Sequence, residues 1–422
     1  MVMMKPFRAL RPPPEKVTKV AAVPYDVVNT AEARELAADN PLSLLHVSRP
    51  EIDLPADVDI HSDAVYVQGL AGLERITREC PLLVEDSDCL YVYRQKMGQH
   101  VQTGVVGCCS VDEYDLDVVK KHEKTRKDKE DDRTRHIVTL RTQTGPVFLM
   151  HKPDVAIDAL VAKITAGKPL YDFVASDGVG HTVWKVDAPE SLVAAFSKLD
   201  CSYIADGHHR AASASRARAA VRGSKPDLSA CGCGGRKHFD DVEADRFLAV
   251  MFPANQLQIL PYNRVVKDLN GHEPTAFLQK LGDALGARPE PFSGANPAPT
   301  KPGECRMYLG GKWYTLALTP ADPATKDPTA RLDVSALMDR VLGPLLAIGD
   351  PRTDKRIDFV GGIRGTGELV KLVEGGKAAV AFAMFATTVE QLMAVADANL
   401  LMPPKSTWFE PKLRSGLVMH RI

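Results

Sequence analysis

The sequence lacks any apolar run long enough to cross a membrane, and it has few cysteines. The longest apolar runs, such as residues 377–386, fall short of the roughly 18–20 residues that a bilayer requires. The eight cysteines among 422 residues are scattered and do not make a disulfide scaffold. The first residues lack the apolar core and small-residue cleavage site of a signal peptide. We therefore expect a cytoplasmic protein with reduced thiols and no membrane partner.

The chain also lacks an excess of charge of either sign. Lys and Arg number 53 and Asp and Glu number 54, so the net charge is −1. No basic field draws the chain onto nucleic acid, and any cationic site must be local. Hydrophobic residues make up 45% and charged residues 25%, as is ordinary for a globular protein. The length allows two or three domains.

Short strand-like and helix-like segments alternate along the chain and predict an α+β or mixed α/β fold. We predict three segments, namely 1–106, 107–265 and 266–422, the last with a closing loop at 402–412. Residues 223–243 are rich in Gly and charge and include Cys231 and Cys233. No second cysteine pair with zinc-ligand spacing follows, so a loop is preferred over a metal site there. No internal repeat or coiled-coil heptad is visible.

The local patterns assign the main elements. Predicted helices cover 29–40, with Thr30 as N-cap, 63–80, 191–199 and 211–221. Predicted strands cover 17–23, 89–94, 101–106, 145–150, 201–205, 247–252, 257–261, 357–360 and 381–385.

One motif stands out, Asp206-Gly207-His208-His209-Arg210, which lies between a predicted strand and a predicted helix. Gly207 permits a sharp turn and close approach of a ligand to the backbone. The N–H groups at the helix start favour an anion, and Arg210 can grip phosphate oxygens with two donors. His208 and His209 can donate hydrogen bonds, and Asp206 can orient a histidine or hold Mg²⁺. We call this motif the elbow.

A simpler alternative is a capped helix. Asp206 would then satisfy the first N–H groups, and the two histidines would lie on the surface. Two histidines and an arginine at a helix start oppose its dipole, so an anionic partner explains the motif better.

A charged stretch from Lys120 to His136 is the second candidate. The simpler interpretation is a solvated helix with a Glu123–Lys127 pair. The functional interpretation gives Glu123, preceded by His122, the role of a carboxylate base, with Lys124 and Arg133 as cations for phosphoryl transfer.

A third candidate follows Pro403-Pro404, where Lys405, Ser406 and Thr407 lie on a stiffened loop. This loop can clamp an anion with its lysine, hydroxyls and N–H groups. It can also serve as a strap that packs Trp408 into the core, and the two roles are compatible.

These pieces together resemble the DUF1015 family, a domain of unknown function, nearly from end to end. The matching motifs are residues 7–11, 23–27, 46–52, 122–125, 204–210, 259–261, 350–352, 358–362 and 402–412. The central part resembles the ParB/sulfiredoxin superfamily, which includes free serine kinases. In that superfamily an elbow matching Gly207 to Arg210 holds nucleotide phosphates. Free serine kinases also carry an upstream His-Glu pair, which His122-Glu123 matches.

The resemblance implies a small-molecule kinase that uses ATP or ADP with Mg²⁺. Glu123 would take the hydroxyl proton of the acceptor, with free L-serine as the best candidate. Tyr25, Asp26, Arg49 and Arg133 would bind the acceptor, although Asp26 and Arg49 could equally form an internal salt bridge. Asp206 would be the metal ligand, and the Lys405 loop would contact the nucleotide.

One departure separates the chain from sulfiredoxins, which have a catalytic cysteine where this chain has His208. A ParB-like role in DNA partition is disfavoured because no basic recognition helix follows residue 265. The alternative from another class is a nucleotide-binding switch without turnover. The oligomeric state, a homodimer among the possibilities, stays open.

Overall fold

The computed structural model describes residues 1–222, 243–320, 322 and 324–422, and its fold is mixed α/β. The chain divides into two compact units. The first comprises Met1–Leu257 and Pro411–Ile422, and the second comprises Gln258–Glu410. Cys231 and Cys233 of the predicted loop lie outside the described residues.

The first unit contains most of the strands and helices. Its strands are β1 (Leu10–Arg11), β2 (Leu83–Val84), β3 (Leu90–Met97), β4 (His100–Ser110), β5 (Val119–Lys120), β6 (Thr142–Gln143), β7 (Val147–His151), β8 (Tyr171–Val174), β9 (Gly180–Val186), β10 (Ser202–Asp206), β11 (Arg246–Pro253) and β20 (His420–Arg421). Its helices are α1 (Val17–Val20), α2 (Thr30–Ala37), α3 (Leu45–Ser48), α4 (Asp63–Glu79), α5 (Val111–Asp115), α6 (Lys127–Leu140), α7 (Val155–Thr165), α8 (Glu190–Phe196) and α9 (His208–Arg222).

Within the described part of this unit, eight strands form one sheet in the order β5-β10-β7-β11-β4-β3-β9-β8. The central strands are continuous apolar runs because both faces of the sheet are covered there. β11, for example, is buried at every position. Phe196, Ile204 and Phe247 belong to the main core cluster of this sheet and its helices. The predicted boundary between residues 106 and 107 falls inside β4, which pairs with β3 on one side and β11 on the other.

The order of strands determines where the loops meet. β5 and β10 are parallel neighbours, with Ser202 opposite Val119 and Tyr203 opposite Lys120. β7 runs antiparallel on the other side of β10. The segments that follow β5 and β10 and the segment that precedes β7 therefore lie at the same edge of the sheet. The elbow and the His122-Glu123 segment lie at this edge.

The last residues of the chain return to the first unit and are fastened there by backbone pairing. β20 pairs with β6, and Gly416 donates its N–H to the carbonyl of Thr144. Ser415 and Ala22 exchange N–H···O bonds, as do Met419 and Leu10. The tail is thus part of the first unit's structure.

The second unit is built on its own sheets. Its elements are β12 (Gln258–Leu260), β13 (Tyr262–Val266), α10 (Pro274–Leu285), β14 (Glu290–Phe292), β15 (Glu304–Leu309), β16 (Lys312–Ala317), α11 (Asp333–Leu337), β17 (Ile357–Gly361), α12 (Gly365–Glu374), β18 (Val380–Met384), α13 (Val389–Asp397) and β19 (Trp408–Glu410). Six strands form a sheet in the order β14-β16-β15-β18-β13-β17 among the described residues, and β12 pairs with β19. Leu369 and Ala381 are buried in its core.

Several sequence-based expectations are confirmed and three are wrong in detail. The predicted helix at 63–80 is α4, and the predicted strands at 101–106 and 201–205 are β4 and β10. Residues 17–20 form the helical turn α1 instead of a strand, because a short apolar run fits either state. The N-cap of α2 is Asn29, not Thr30, and Asn29 forms a capping box with Glu32. The helix in the charged stretch begins only at Lys127.

None of the helices in the described ranges is long and apolar enough to cross a membrane.

Candidate functional site

The elbow is a tight turn between β10 and α9. Gly207 has φ +91°, a conformation that a residue with a side chain rarely adopts. A Cβ at this position would lie 3.5 Å from Arg210 and Val147, which is ordinary contact, so backbone conformation and not space demands glycine. The turn brings the N–H groups of His208 and His209, the first two of α9, directly behind the end of the strand, and the Arg210 N–H donates to the Gly207 carbonyl at 2.9 Å.

Asp206 is held by two donors. Its Oδ1 accepts the Gly207 N–H at 2.7 Å, and its Oδ2 lies 3.0 Å from Nζ of Lys412 in the returning tail. Burial alone would raise the pKa of Asp206, but Lys412 and Arg210 hold it well below its usual range. Asp206 is therefore ionised at neutral pH, and its carboxylate forms a salt bridge with Lys412 of the returning tail.

Arg210 is buried and multiply bonded. It donates to the Pro146 carbonyl at 2.8 Å and to both oxygens of Asp26 at 2.9 Å. Burial opposes its charge, but Asp26 and Asp206 raise the pKa of Arg210 above its ordinary value. The guanidinium also lies 5.7 Å from the ring centre of Tyr25. Arg210 is thus a fixed cation that already has carboxylate partners.

His208 is 4% exposed, and its ring packs edge-on against His122 with centroids 4.4 Å apart. Its Nε2 accepts the backbone N–H of His122 at 3.4 Å. Burial, with His122 as the next cause, lowers the pKa of His208 well below its usual value, and burial lowers that of His122 to about 4. Both rings are neutral at pH 7, and His208 carries its proton on Nδ1.

His209 binds the same segment from the next position. Its Nε2 accepts the Arg126 N–H at 3.0 Å, and burial lowers its pKa below the usual value. The two histidines thereby fasten both ends of residues 122–126. The capped-helix alternative expected them on the surface, and this is wrong because they pack against the segment after β5. Neutral histidines also do not oppose the dipole of α9.

Glu123 lies between these two anchors, outside any helix. Its Oε2 is 3.9 Å from Nδ1 of His208, and its side chain is 46% exposed. The predicted helical Glu123–Lys127 pair is wrong, because Lys127 is the first residue of α6. A half-exposed carboxylate beside a helix start can accept a proton from a ligand bound there.

The four predicted acceptor residues divide into two places. Arg133 lies 4.2 Å from the ring centre of Tyr25, which also faces Arg210, and Asp26 pairs with Arg210. Arg49 instead pairs with Glu51 at 2.9 Å and donates to Thr30 at 3.0 Å. The Asp26–Arg49 salt bridge weighed from the sequence is therefore not the pairing that forms. Their role in binding an acceptor stays a prediction.

Few protein side chains at the elbow are available to bind a metal ion. Both oxygens of Asp206 already accept hydrogen bonds. The described residues contain no group of three or more His, Cys, Asp or Glu side chains that could hold an ion. Asp206 therefore does not fit a protein-built metal site, although Mg²⁺ is commonly bound with few protein ligands and several phosphate oxygens or waters.

Lys405, Ser406 and Thr407 belong to the second unit. Ser406 is buried and donates to the Pro403 carbonyl at 2.6 Å, and the Lys405 carbonyl accepts from Arg264 at 3.2 Å. Burial lowers the pKa of Arg264 to about 10. Trp408 packs on Tyr262 with ring centres 5.0 Å apart, which agrees with the strap interpretation. The contact of this loop with a nucleotide stays a prediction.

Sequence reasoning missed Lys412. This residue closes the motif at 402–412 but lies 206 positions from Asp206 in the chain, so no local pattern links the two. Its place within that motif was the available signal.

The fold and the site define a mixed α/β protein with a glycine-containing strand-to-helix turn at one edge of its main sheet. The chain belongs to the DUF1015 family, described as a protein of unknown function, whose model matches residues 4–335. No curated protein matches the chain.

Solved structures show a distant likeness. A free serine kinase in complex with AMP is 12% identical with a TM-score of 0.33, and the match covers 74% of this chain and 92% of that one. A conserved hypothetical protein from Pyrococcus furiosus is 15% identical with a TM-score of 0.32, covering 74% and 95%. C-terminally truncated SbnI from Staphylococcus aureus is 11% identical with a TM-score of 0.38, covering 74% and 87%.

Proposed function

We propose that the chain is a small-molecule kinase that transfers a phosphoryl group from ATP or ADP to a hydroxyl. One observation carries the proposal. The segment after β5 and the elbow after β10 meet at one sheet edge, so that Glu123 Oε2 lies 3.9 Å from His208 at the start of α9. A carboxylate base and an anion-binding helix start are the two parts that a hydroxyl kinase needs side by side.

The roles follow from the contacts. The N–H groups at the start of α9 bind the phosphates of the nucleotide. A Mg²⁺ ion would be held mainly by these phosphates, where it would neutralise their charge, since Asp206 has both oxygens engaged. Arg210, the last residue of the elbow, supplies a fixed positive charge there. His208 and His209 act as neutral supports that position Glu123, which differs from the direct phosphate contacts expected from the sequence.

The reaction then needs one proton acceptor. The acceptor hydroxyl gives its proton to Glu123 as its oxygen forms a bond to the terminal phosphorus. The bond from that phosphorus to the bridging oxygen breaks, and its electron pair leaves with the shortened nucleotide. Positioning and charge neutralisation supply most of the catalysis in such transfers.

L-Serine is the acceptor that the sequence resemblance implies, and O-phosphoserine is its product. The test is to incubate the purified chain with L-serine, Mg²⁺ and either ATP or ADP, and to measure phosphoserine by mass spectrometry. We expect phosphoserine with at least one nucleotide and none without the protein. Nucleotide binding without phosphoserine or any other phosphorylated acceptor would instead support the regulatory alternative, which needs the elbow and not Glu123.

A further inference from the structure

A cavity in the first unit lies beside the elbow. Its wall includes Tyr25, Ser48, Arg133, Thr144 and Arg210, together with Ile137 and other apolar side chains. The volume of this cavity, measured by the space open to the centre of a water molecule, is about 40 Å³. Since one water needs at least about 10–15 Å³ by this measure, the cavity holds roughly three waters. A cavity of this size suits a molecule of a few carbon atoms.

The wall carries positive charge. Arg133 and Arg210 contribute to it, and within the part of the chain that the structure describes no Asp or Glu does. Asp132 and Asp26 bind the two arginines and lie outside the wall. The two arginines in the wall attract a negatively charged ligand, while the two aspartates behind them leave no excess positive charge to balance the second charge of a phosphate.

Both arginines keep donors for a ligand. A guanidinium has five N–H donors. Arg133 uses three, two on Asp132 and one on the Ser48 carbonyl at 3.2 Å. Arg210 has three bonds, to Pro146 and Asp26. About two donors therefore remain on each arginine for the oxygens of a carboxylate.

The side chain of Ser48 is a second observation that points to a ligand in the cavity. It is 3% exposed, and its Oγ has no hydrogen-bond partner among the described residues. A buried hydroxyl without a partner costs free energy, and such groups call for an explanation. A bound oxygen in the adjoining cavity would satisfy it.

We infer that this cavity is a binding site for a small monocarboxylate, held by Arg133, Arg210 and the hydroxyl of Ser48. The inference rests on the proposed function in that the carboxylate belongs to the phosphoryl acceptor, which reaches the elbow from this side. The inference gives Ser48 the role of a hydrogen-bond donor to the carboxylate. Arg49, which is paired with Glu51, lies outside the site.

The test uses the full chain in titration calorimetry, with and without ADP. The probes are L-serine, D-glycerate, ethanolamine, which lacks the carboxylate, and inorganic phosphate. We expect L-serine or D-glycerate to bind and ethanolamine not to bind. Failure of both carboxylates, equal binding of ethanolamine, or displacement of L-serine by phosphate would each overturn the inference.

The variant Ser48→Ala and its matched control Ser202→Ala test the assigned hydroxyl. Ser202 is also buried, and its Oγ has no hydrogen-bond partner in the described part of the chain, but it begins β10 and does not line the cavity. Loss of a hydrogen bond to a charged group weakens binding roughly ten- to a hundredfold. We expect that loss in Ser48→Ala alone, with stability unchanged or raised in both variants. Equal carboxylate affinity in Ser48→Ala and the unaltered chain would contradict the assignment.

The two proposals can fail separately. Carboxylate binding that depends on Ser48, without any phosphorylated product, would leave the cavity site standing and remove the kinase. Phosphoserine formation with a KM that Ser48→Ala leaves unchanged would keep the kinase and remove the cavity site.

Discussion

Replacement of Lys412 by methionine tests whether the returning tail sets the electrostatics of the elbow. Lys412 Nζ lies 3.0 Å from Asp206 Oδ2, and the two side chains are 17% and 29% exposed. Methionine keeps the length and the apolar stem of lysine but removes the charge. Asp206 then stays in its half-buried position, and its remaining cation is Arg210, which is also paired with Asp26.

The expected loss of stability follows from this burial. Removal of one partner from a buried ion pair costs about 3–5 kcal/mol, because the other charge is left uncompensated. Since this pair is partly exposed and Arg210 remains, we expect about 2–3 kcal/mol for Lys412→Met. The double variant Lys412→Met/Asp206→Asn removes both charges and keeps an oxygen for the Gly207 N–H. It should be about 2 kcal/mol more stable than Lys412→Met, because no unpaired carboxylate remains.

The loss should also depend on pH. The pKa of folded Asp206 is depressed, so its stabilisation is present above the ordinary value of about 3.9 and disappears as pH falls through the folded pKa. Without Lys412 that folded pKa rises. The stability difference between the unaltered chain and Lys412→Met should therefore be full at pH 7 and shrink as the solution is acidified.

The assay must report on the first unit alone, because the chain has two compact units. Cys108 and Cys109 are buried thiols in β4 of that unit. Their labelling by a thiol reagent in increasing denaturant, read by mass spectrometry of the tryptic peptides, gives its unfolding free energy. Equal stabilities of Lys412→Met and the double variant at pH 7 would refute the electrostatic reasoning and leave Lys412 as a packing residue.

Three further predictions follow from single contacts. Gly207→Ala forces a side chain into φ +91°, so the same thiol-labelling assay should show a loss of about 1–2 kcal/mol, and an unchanged stability would argue against the turn. His209→Ala removes the acceptor for the Arg126 N–H and should lower kcat for phosphoserine formation while the Kd for ADP stays within about threefold, because the N–H groups of α9 remain; an equal loss in both quantities would count against a positioning role. Burial raises the pKa of Glu113 to about 7, so the contribution of this carboxyl to the unfolding free energy is full below its ordinary pKa and is lost as pH rises to about 7. Glu113→Gln should flatten this decline of the unfolding free energy with pH. An unchanged slope of unfolding free energy against pH between 4.5 and 7 would contradict the prediction.

Much of the fold was predictable because its elements carry strong local signals. The β10 strand is a short apolar run that ends at Asp206, and α4 follows a helical period over its 17 residues. The pattern at 17–23 predicts a strand, but residues 17–20 are helical, because a short apolar run has no period that distinguishes helix from strand. The start of α6 at Lys127 escaped prediction because charged residues on both sides of it look alike.

The site was predictable in its parts and not in its pairings. The residue types at Asp206 to Arg210 and at Glu123 indicated the chemistry, but the partners that set their charge come from distant positions. Lys412 reaches Asp206 only because the tail returns to the first unit, and His208 is neutral only because it is buried against His122. Such tertiary contacts have no signature in a single sequence.

The most direct test of the kinase account is the rate of phosphoserine formation by Glu123→Gln beside the unaltered chain. Glutamine keeps the shape of the side chain and removes the base, and loss of a general base lowers rates by roughly a hundred- to ten-thousandfold. We predict a fall of that size in kcat, with the Kd for ADP and the stability of the first unit unchanged. A Glu123→Gln variant that retains full activity would contradict the account.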